Sequence, residues 1–172
     1  MPNWILLLVL ASPLAAESVA GMRWTTPPGW KYERARPMRA ATYTVSPAPG
    51  DPDASECVVF FFGAGQGGSV EANIDRWKGQ FQQAGKPAGA RVEKRTVHGL
   101  PVTTIDISGD YSGMGGPNAA EKSTASGYRL LGAVVEGPGG TVFIKFAAPA
   151  KTVAANQQKF EQLLGSFEKE GK

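Results

Sequence analysis

The chain has 172 residues, 42% hydrophobic and 19% charged, with 22 Gly, 13 Pro, one Cys and one His. That length suits one domain with its own core, and a lone cysteine beside a lone histidine excludes an internal disulfide and self-contained zinc or iron–sulfur sites. The net charge of +3, with acids and bases interleaved, describes a solvated surface better than a nucleic-acid-binding one.

From the N-terminus, Trp4 to Leu10 is an unbroken apolar run that small residues extend to Ala16, and no charged residue precedes Glu17. The run is short of the roughly 20 residues a bilayer span needs, and it has the form of a secretory leader. Met1, Pro2 and Asn3 depart from that form, because they carry no basic residue. Ala16 and Ala20 each offer a small-residue cleavage point, and the boundary is placed after Ala20. This gives a leader over 1–20 and one domain over 21–172, with no transmembrane span after cleavage. A lipid anchor does not fit, since Cys57 lies far downstream of the apolar run.

Thr25, Thr26, Pro27, Pro28 and Gly29 form a turn between Trp24 and Trp30. Residues 30–36 and 39–45 alternate as two strands of a hairpin around Pro37, and the Pro- and Asp-rich stretch 46–55 is a loop. Cys57 to Phe62 is apolar at every position, which requires a strand covered on both faces. After Gly63–Gly68, the stripe Val70, Ile74, Trp77, Phe81 and Ala84 predicts an amphipathic helix capped by Ser69 and ended by Gly85 and Pro87. Residues 91–97 carry the charges of an edge strand, His98 and Gly99 turn the chain, and 101–108 returns. A loose stretch covers 109–127. Two further strands, 128–136 and 141–147, meet at a Gly–Pro turn, and a helix follows Pro149 with Val153, Phe160, Leu163, Leu164 and Phe167 on one side. The order predicts an α+β fold: an antiparallel sheet of six to seven strands with two amphipathic helices packed on it.

The segments "TTPPGWKYERARPMRAATYTV", "VVFFFGAGQGGSVEANIDRWKGQF", "YRLLGAVVE" and "FIKFAAPAKTVAANQQKFEQLLGSF" carry this order and its aromatic positions. They resemble the Mog1/PsbP-like α/β sandwich proteins, and uncharacterised exported bacterial proteins of similar size. The resemblance covers most of the chain after the leader. It implies that fold, and it implies a non-catalytic accessory or partner-binding role, with no catalytic motif to carry over.

Gly63, Gly65 and Gly68 satisfy the G-x-G-x-x-G spacing between a strand and a helix, as in dinucleotide sites. The charged strand that follows is not the buried parallel strand such a unit needs, so a tight turn is the expectation and no cofactor is assigned. The amides at Gly67, Gly68 and Ser69 are a candidate anion site. Catalysis through His98 or Cys57 would join a hairpin turn to a strand interior. Asp106, Asp110 and Glu136, near strand ends, are candidate paired carboxylates. Asp51 and Asp53 fall short of the oxygens calcium takes, and no metal is assigned.

Lys31, Arg34, Arg36 and Arg39, interleaved with Trp30 and Tyr32, form the densest basic stretch and suit an acidic or anionic partner. The expectation is an exported, non-catalytic domain that binds an envelope protein or other envelope component through Trp24, Trp30, Tyr32, Arg34, Arg36 and Arg39, without nucleic acid. The alternative is a small-ligand-binding protein or hydrolase using the 63–69 glycine loop and Asp106 or Asp110.

Overall fold

Side chains along the expected strands alternate between the faces of one antiparallel sheet. The computed structural model, which describes residues 16–113 and 123–171, shows both faces covered. From the N-terminus come β1 (Ala16–Val19), β2 (Met22–Thr25), β3 (Lys31–Glu33), β4 (Arg39–Val45), β5 (Ser55–Phe60) and helix α1 (Val70–Lys78). There follow β6 (Phe81–Gln83), β7 (Lys86–Pro87), β8 (Ala90–Val97), β9 (Leu100–Tyr111), β10 (Ala125–Gly137) and β11 (Gly140–Pro149), then helix α2 (Ala150–Gly165) and β12 (Glu168–Lys169). Nine strands make the main sheet, in the order β3-β4-β5-β11-β10-β9-β6-β7 with β8 paired to β9. Strands β1, β2 and β12 make a second, three-stranded sheet.

On β10 and β11, Leu131, Ala133, Val135, Val142, Ile144 and Phe146 join the core closed by Val153, Phe160 and Leu163 of α2. Their neighbours Leu130, Val134 and Phe143 face the other way, under Ile74 and Trp77 of α1. Gly132 permits that second contact, because a Cβ there would stand 2.8 Å from the Trp77 ring, well inside normal carbon–carbon contact. The fold is α+β and antiparallel as expected, with one helix on each face, and all seven expected strands form, the first shortened to Lys31–Glu33.

Three features differ from the sequence reading. The helical stripe extends to Ala84, but α1 ends at Lys78 with Gly79 as its cap. Phe81 keeps the four-residue spacing from Trp77, yet it pairs with Tyr111 of β9 and its ring lies 4.9 Å from the Tyr111 ring. The open edge of β9 offers both backbone partners and an aromatic contact, and these outweigh another turn of helix. Second, β9 and β10 run into the expected loop 109–127 from both sides, as far as Tyr111 and from Ala125; positions 114–122 lie outside the described residues.

Third, β1 occupies part of the expected leader. It pairs with β2 from Ala16↔Thr25 to Val19↔Met22, and the boundary after Ala20 falls in the turn between them. Glu17 is buried, its Oε1 accepting a 2.7 Å hydrogen bond from Thr26 Oγ1 while Oε2 has no partner among the described residues. Residues that composition assigns to a leader are thus held in register with β2.

Candidate functional site

The basic and aromatic stretch expected to face a partner divides between core and surface. Trp24 and Trp30 are 1% and 6% exposed. Trp24 Nε1 donates to Tyr43 Oη at 2.8 Å and its ring stacks on Phe167; Trp30 Nε1 donates to Asn156 Oδ1 at 3.0 Å. Each indole satisfies its one polar atom inside the fold, so both leave the expected contact surface. The elements that cover them, α2 and the residues before β12, are remote in sequence.

Tyr32, Arg34 and Arg36 stay exposed, and Arg39 is half-buried. At the hairpin tip beside them Met38 is 63% exposed and holds φ at 64°, a left-handed conformation that costs a non-glycine residue about 1 kcal/mol or more. Arg36 lies 3.5 Å from Glu33. Arg39 pairs with Glu56 at 3.0 Å and lies over the Phe60 ring. Lys31 and Arg34 have no carboxylate partner among the described residues.

The glycine loop is built for shape. At Gly67, with φ at 93°, a Cβ would meet the Phe143 ring at 2.5 Å. Buried Asn73 closes the loop by donating to Gly67 O at 2.8 Å and Ser69 O at 2.9 Å, while Ser69 Oγ accepts from Ala72 N and caps α1. The strand after α1 pairs antiparallel to β9, so the parallel unit of a dinucleotide site does not form. Beyond the loop lies an open groove of about 450 Å³ lined by Ser69, Glu71, Lys94, Thr103, Glu136 and Thr141. Arg95 lines it too, so two carboxylates balance two cations and the groove offers no net positive charge to an anion at Gly67, Gly68 and Ser69.

Asp106 does not meet that loop, because it faces α2 on the opposite side of the sheet. Arg129 Nε and Nη2 donate to its two oxygens at 2.8 and 2.7 Å, and Nη2 also donates to Gln157. That paired hydrogen bonding, opposed by burial, holds the Asp106 carboxyl below its ordinary range. A carboxylate kept ionised in this way is unsuited to donating a proton, and Asp110 pairs in register with Gln82 at the far end of β9. Loop and acids therefore do not converge as the alternative reading requires.

Other candidate groups also have structural partners. Asp51 Oδ2 accepts from Thr152 N and Oγ1, tying the 46–55 loop to the first turn of α2. Cys57 is fully buried and burial pushes its thiol well above the usual range, while His98 Nδ1 lies 2.8 Å from Phe167 O. Among the described residues no three His, Cys, Asp or Glu side chains converge on one point.

No protein-family model matches the chain, and no curated protein matches it in sequence. Solved structures do match it in shape. The solution structure of cyanobacterial PsbP from Synechocystis superposes with a TM-score of 0.52 at 13% identity, over 91% of this chain and 92% of that one. The fold is Mog1/PsbP-like. A protein of unknown function from Pseudomonas aeruginosa is similar as well, with a TM-score of 0.50 at 10% identity over 89% of this chain and 94% of the other.

Within this PsbP-like fold, Lys145 is a group that sequence reasoning missed. It interrupts the apolar run Val142–Phe146 in a strand with both faces covered, and that interruption is the signal that could have found it. Its Nζ donates to Gln80 Oε1 at 2.8 Å and stands 5.2 Å from the Tyr111 ring centre. Burial first, then the charge of Arg76, pulls its pKa down to about 8.

Proposed function

We propose that the chain is an exported, non-catalytic domain that binds a protein partner in the cell envelope. The observation that carries this reading is the β3–β4 hairpin: an edge strand whose exposed Tyr32 and tip residue Met38 stand among Lys31, Arg34 and Arg36. Aromatic and flexible apolar side chains ringed by cations match a surface with acidic and apolar groups. The PsbP-like fold supports the reading, as do the structural bonds that occupy His98 and Asp106. No helix among the described residues is long and apolar enough to cross a membrane.

Export would use a leader cut after Ala16, the earlier of the two small-residue points. This cut keeps Glu17–Val19 of β1 and places a new α-ammonium on Glu17, whose own backbone N–H already lies against its buried carboxylate. The expected outcome in the envelope fraction of an expressing bacterium is an intact mass that begins at Glu17. A mass beginning at Gly21, or an unprocessed chain in the cytoplasm, contradicts it.

The partner surface is tested by photo-crosslinking in cells from a reactive residue placed at Met38, with exposed Ala155 on α2 as the control position. A discrete adduct from position 38, lost when Arg34→Glu and Arg36→Glu are added and missing from position 155, supports the surface. The same adducts from both positions, or none from 38, overturn it.

A further inference from the structure

We propose that β8 is a self-association edge, where two copies of the chain join their main sheets by antiparallel pairing of β8 with β8 about an axis at Val92. The edge lies at the opposite end of the main sheet from β3, so the proposal is independent of the partner surface on the hairpin. Strand β8 pairs with β9 along one side, from Ala90↔Ile107 to Val97↔Leu100, and among the described residues no strand pairs with its other side. It is also the longer of these two edges, with eight residues against three in β3. Residues 91–96 are all exposed, and Val92 is 39% exposed.

The turn after β8 fixes which backbone groups face outward. His98 and Gly99 hold φ at 45° and 77°, the two-residue hairpin turn whose flanking pair, here Val97 and Leu100, is hydrogen-bonded. Bonded and non-bonded pairs alternate along an antiparallel ladder. Thr96 therefore stands opposite Pro101 at a non-bonded position, where a residue without an N–H fits. By the same alternation Lys94, Val92 and Ala90 make no ladder bond to β9, and their N–H and C=O groups point to the open edge, where they meet no backbone partner among the described residues. Such a row is a template for another strand. It ends at Ala90, because Ala88 N donates to Phe81 O at 3.3 Å.

Charge selects a second copy as the occupant, and it selects the register. A two-fold axis at Val92 sets Val92 opposite its own copy and Ala90 opposite Lys94, all residues whose backbone groups face outward. The exposed Val92 side chains then cover each other. On the other face Arg91 stands opposite Glu93 on both sides of the axis, an arrangement that stabilises paired strands. Arg91 and Glu93 already lie 3.7 Å apart within one copy, so the two copies build a run of alternating charge. An axis at Arg91, Glu93, Lys94 or Arg95 instead sets that charge against itself. The side chains that guard this edge against other strands thus complement a second copy of themselves in the register at Val92.

Sedimentation velocity on the purified full chain tests this edge. The expected result is a dimer that dissociates on dilution. Arg91→Glu and Glu93→Arg, each checked for an intact fold by circular dichroism, weaken self-association by about tenfold. An equimolar mixture of these two variants associates again, because the acids of one then meet the bases of the other. Val92→Pro, which removes an outward N–H and no bond to β9, abolishes the dimer. A wild-type chain that stays monomeric at about 1 mM overturns the proposal. So does a dimer that withstands either charge substitution or Val92→Pro in a folded chain, or a pair of charge variants that fail to restore each other.

Discussion

The two faces of the main sheet differ in how completely their polar groups are answered. On the α2 face, Arg129 is matched by Asp106, Trp30 by Asn156, and the start of the helix by Asp51. On the α1 face, Lys145 and Arg76 rest on neutral side chains, and an open groove runs beside the start of the helix. Helix length explains much of the contrast: α2 has 16 residues and α1 has nine. At about 1.5 Å per residue, the shorter helix spans less of the sheet beneath it. The α2 face answers its charged groups with charged partners, and the α1 face answers Lys145 and Arg76 with neutral ones.

The largest break in this comparison comes from the α2 core. Phe160→Ala, at a site 2% exposed, is expected to destabilise the fold by roughly 3–5 kcal/mol in urea unfolding. A loss near zero would mean that α2 is not the principal clamp.

Removing β1 tests the margin of the same core. A chain begun at Gly21 is expected to be about 2–3 kcal/mol less stable than one begun at Glu17, because it loses a paired strand and uncovers the Trp24–Tyr43 contact. Equal midpoints would place β1 outside the cooperative fold.

Lys145→Met should act in the opposite direction, stabilising the chain at pH 7 by about 1–2 kcal/mol, since it replaces an unpaired, partly buried charge with an apolar side chain. Because the folded-state pKa lies below the ordinary lysine value, the wild type should recover this deficit as pH rises from about 8 towards 10.5. The difference between the two proteins should shrink over that window. A constant difference would show that packing, and not charge, is responsible.

The smallest effect is expected at the hairpin, where Tyr32→Ala should change stability by no more than about 0.5 kcal/mol. A larger loss would make Tyr32 part of the fold and weaken its assignment to a partner surface.

The long strands and α2 were legible because their apolar spacing and their Gly–Pro and His–Gly turns are local signals. The burial of Trp24 and Trp30 was not, since it depends on Phe167 and Asn156, which lie far along the chain. The end of α1 was hidden by coincidence: Phe81 fits the helical period and also fits the edge of β9. Of the expected site, Tyr32, Arg34 and Arg36 were legible as exposed residues, because charges along an edge hairpin stay solvated. Lys145 was not, because one lysine in an apolar run shows its burial only when the second face is known to be covered.

The pairing of β12 with β2 sets an order of events during biosynthesis. Glu168 and Lys169 lie opposite Arg23 and Met22, and Phe167 stacks on Trp24. Among the first residues of the fold to leave the ribosome, these therefore wait for some of the last. The larger core cannot close on a partial chain, so the growing polypeptide stays open until almost all of it has been made. The export proposed above would use this delay, since a chain passes a narrow translocation channel before it folds, and the delay would come from where the final strand docks.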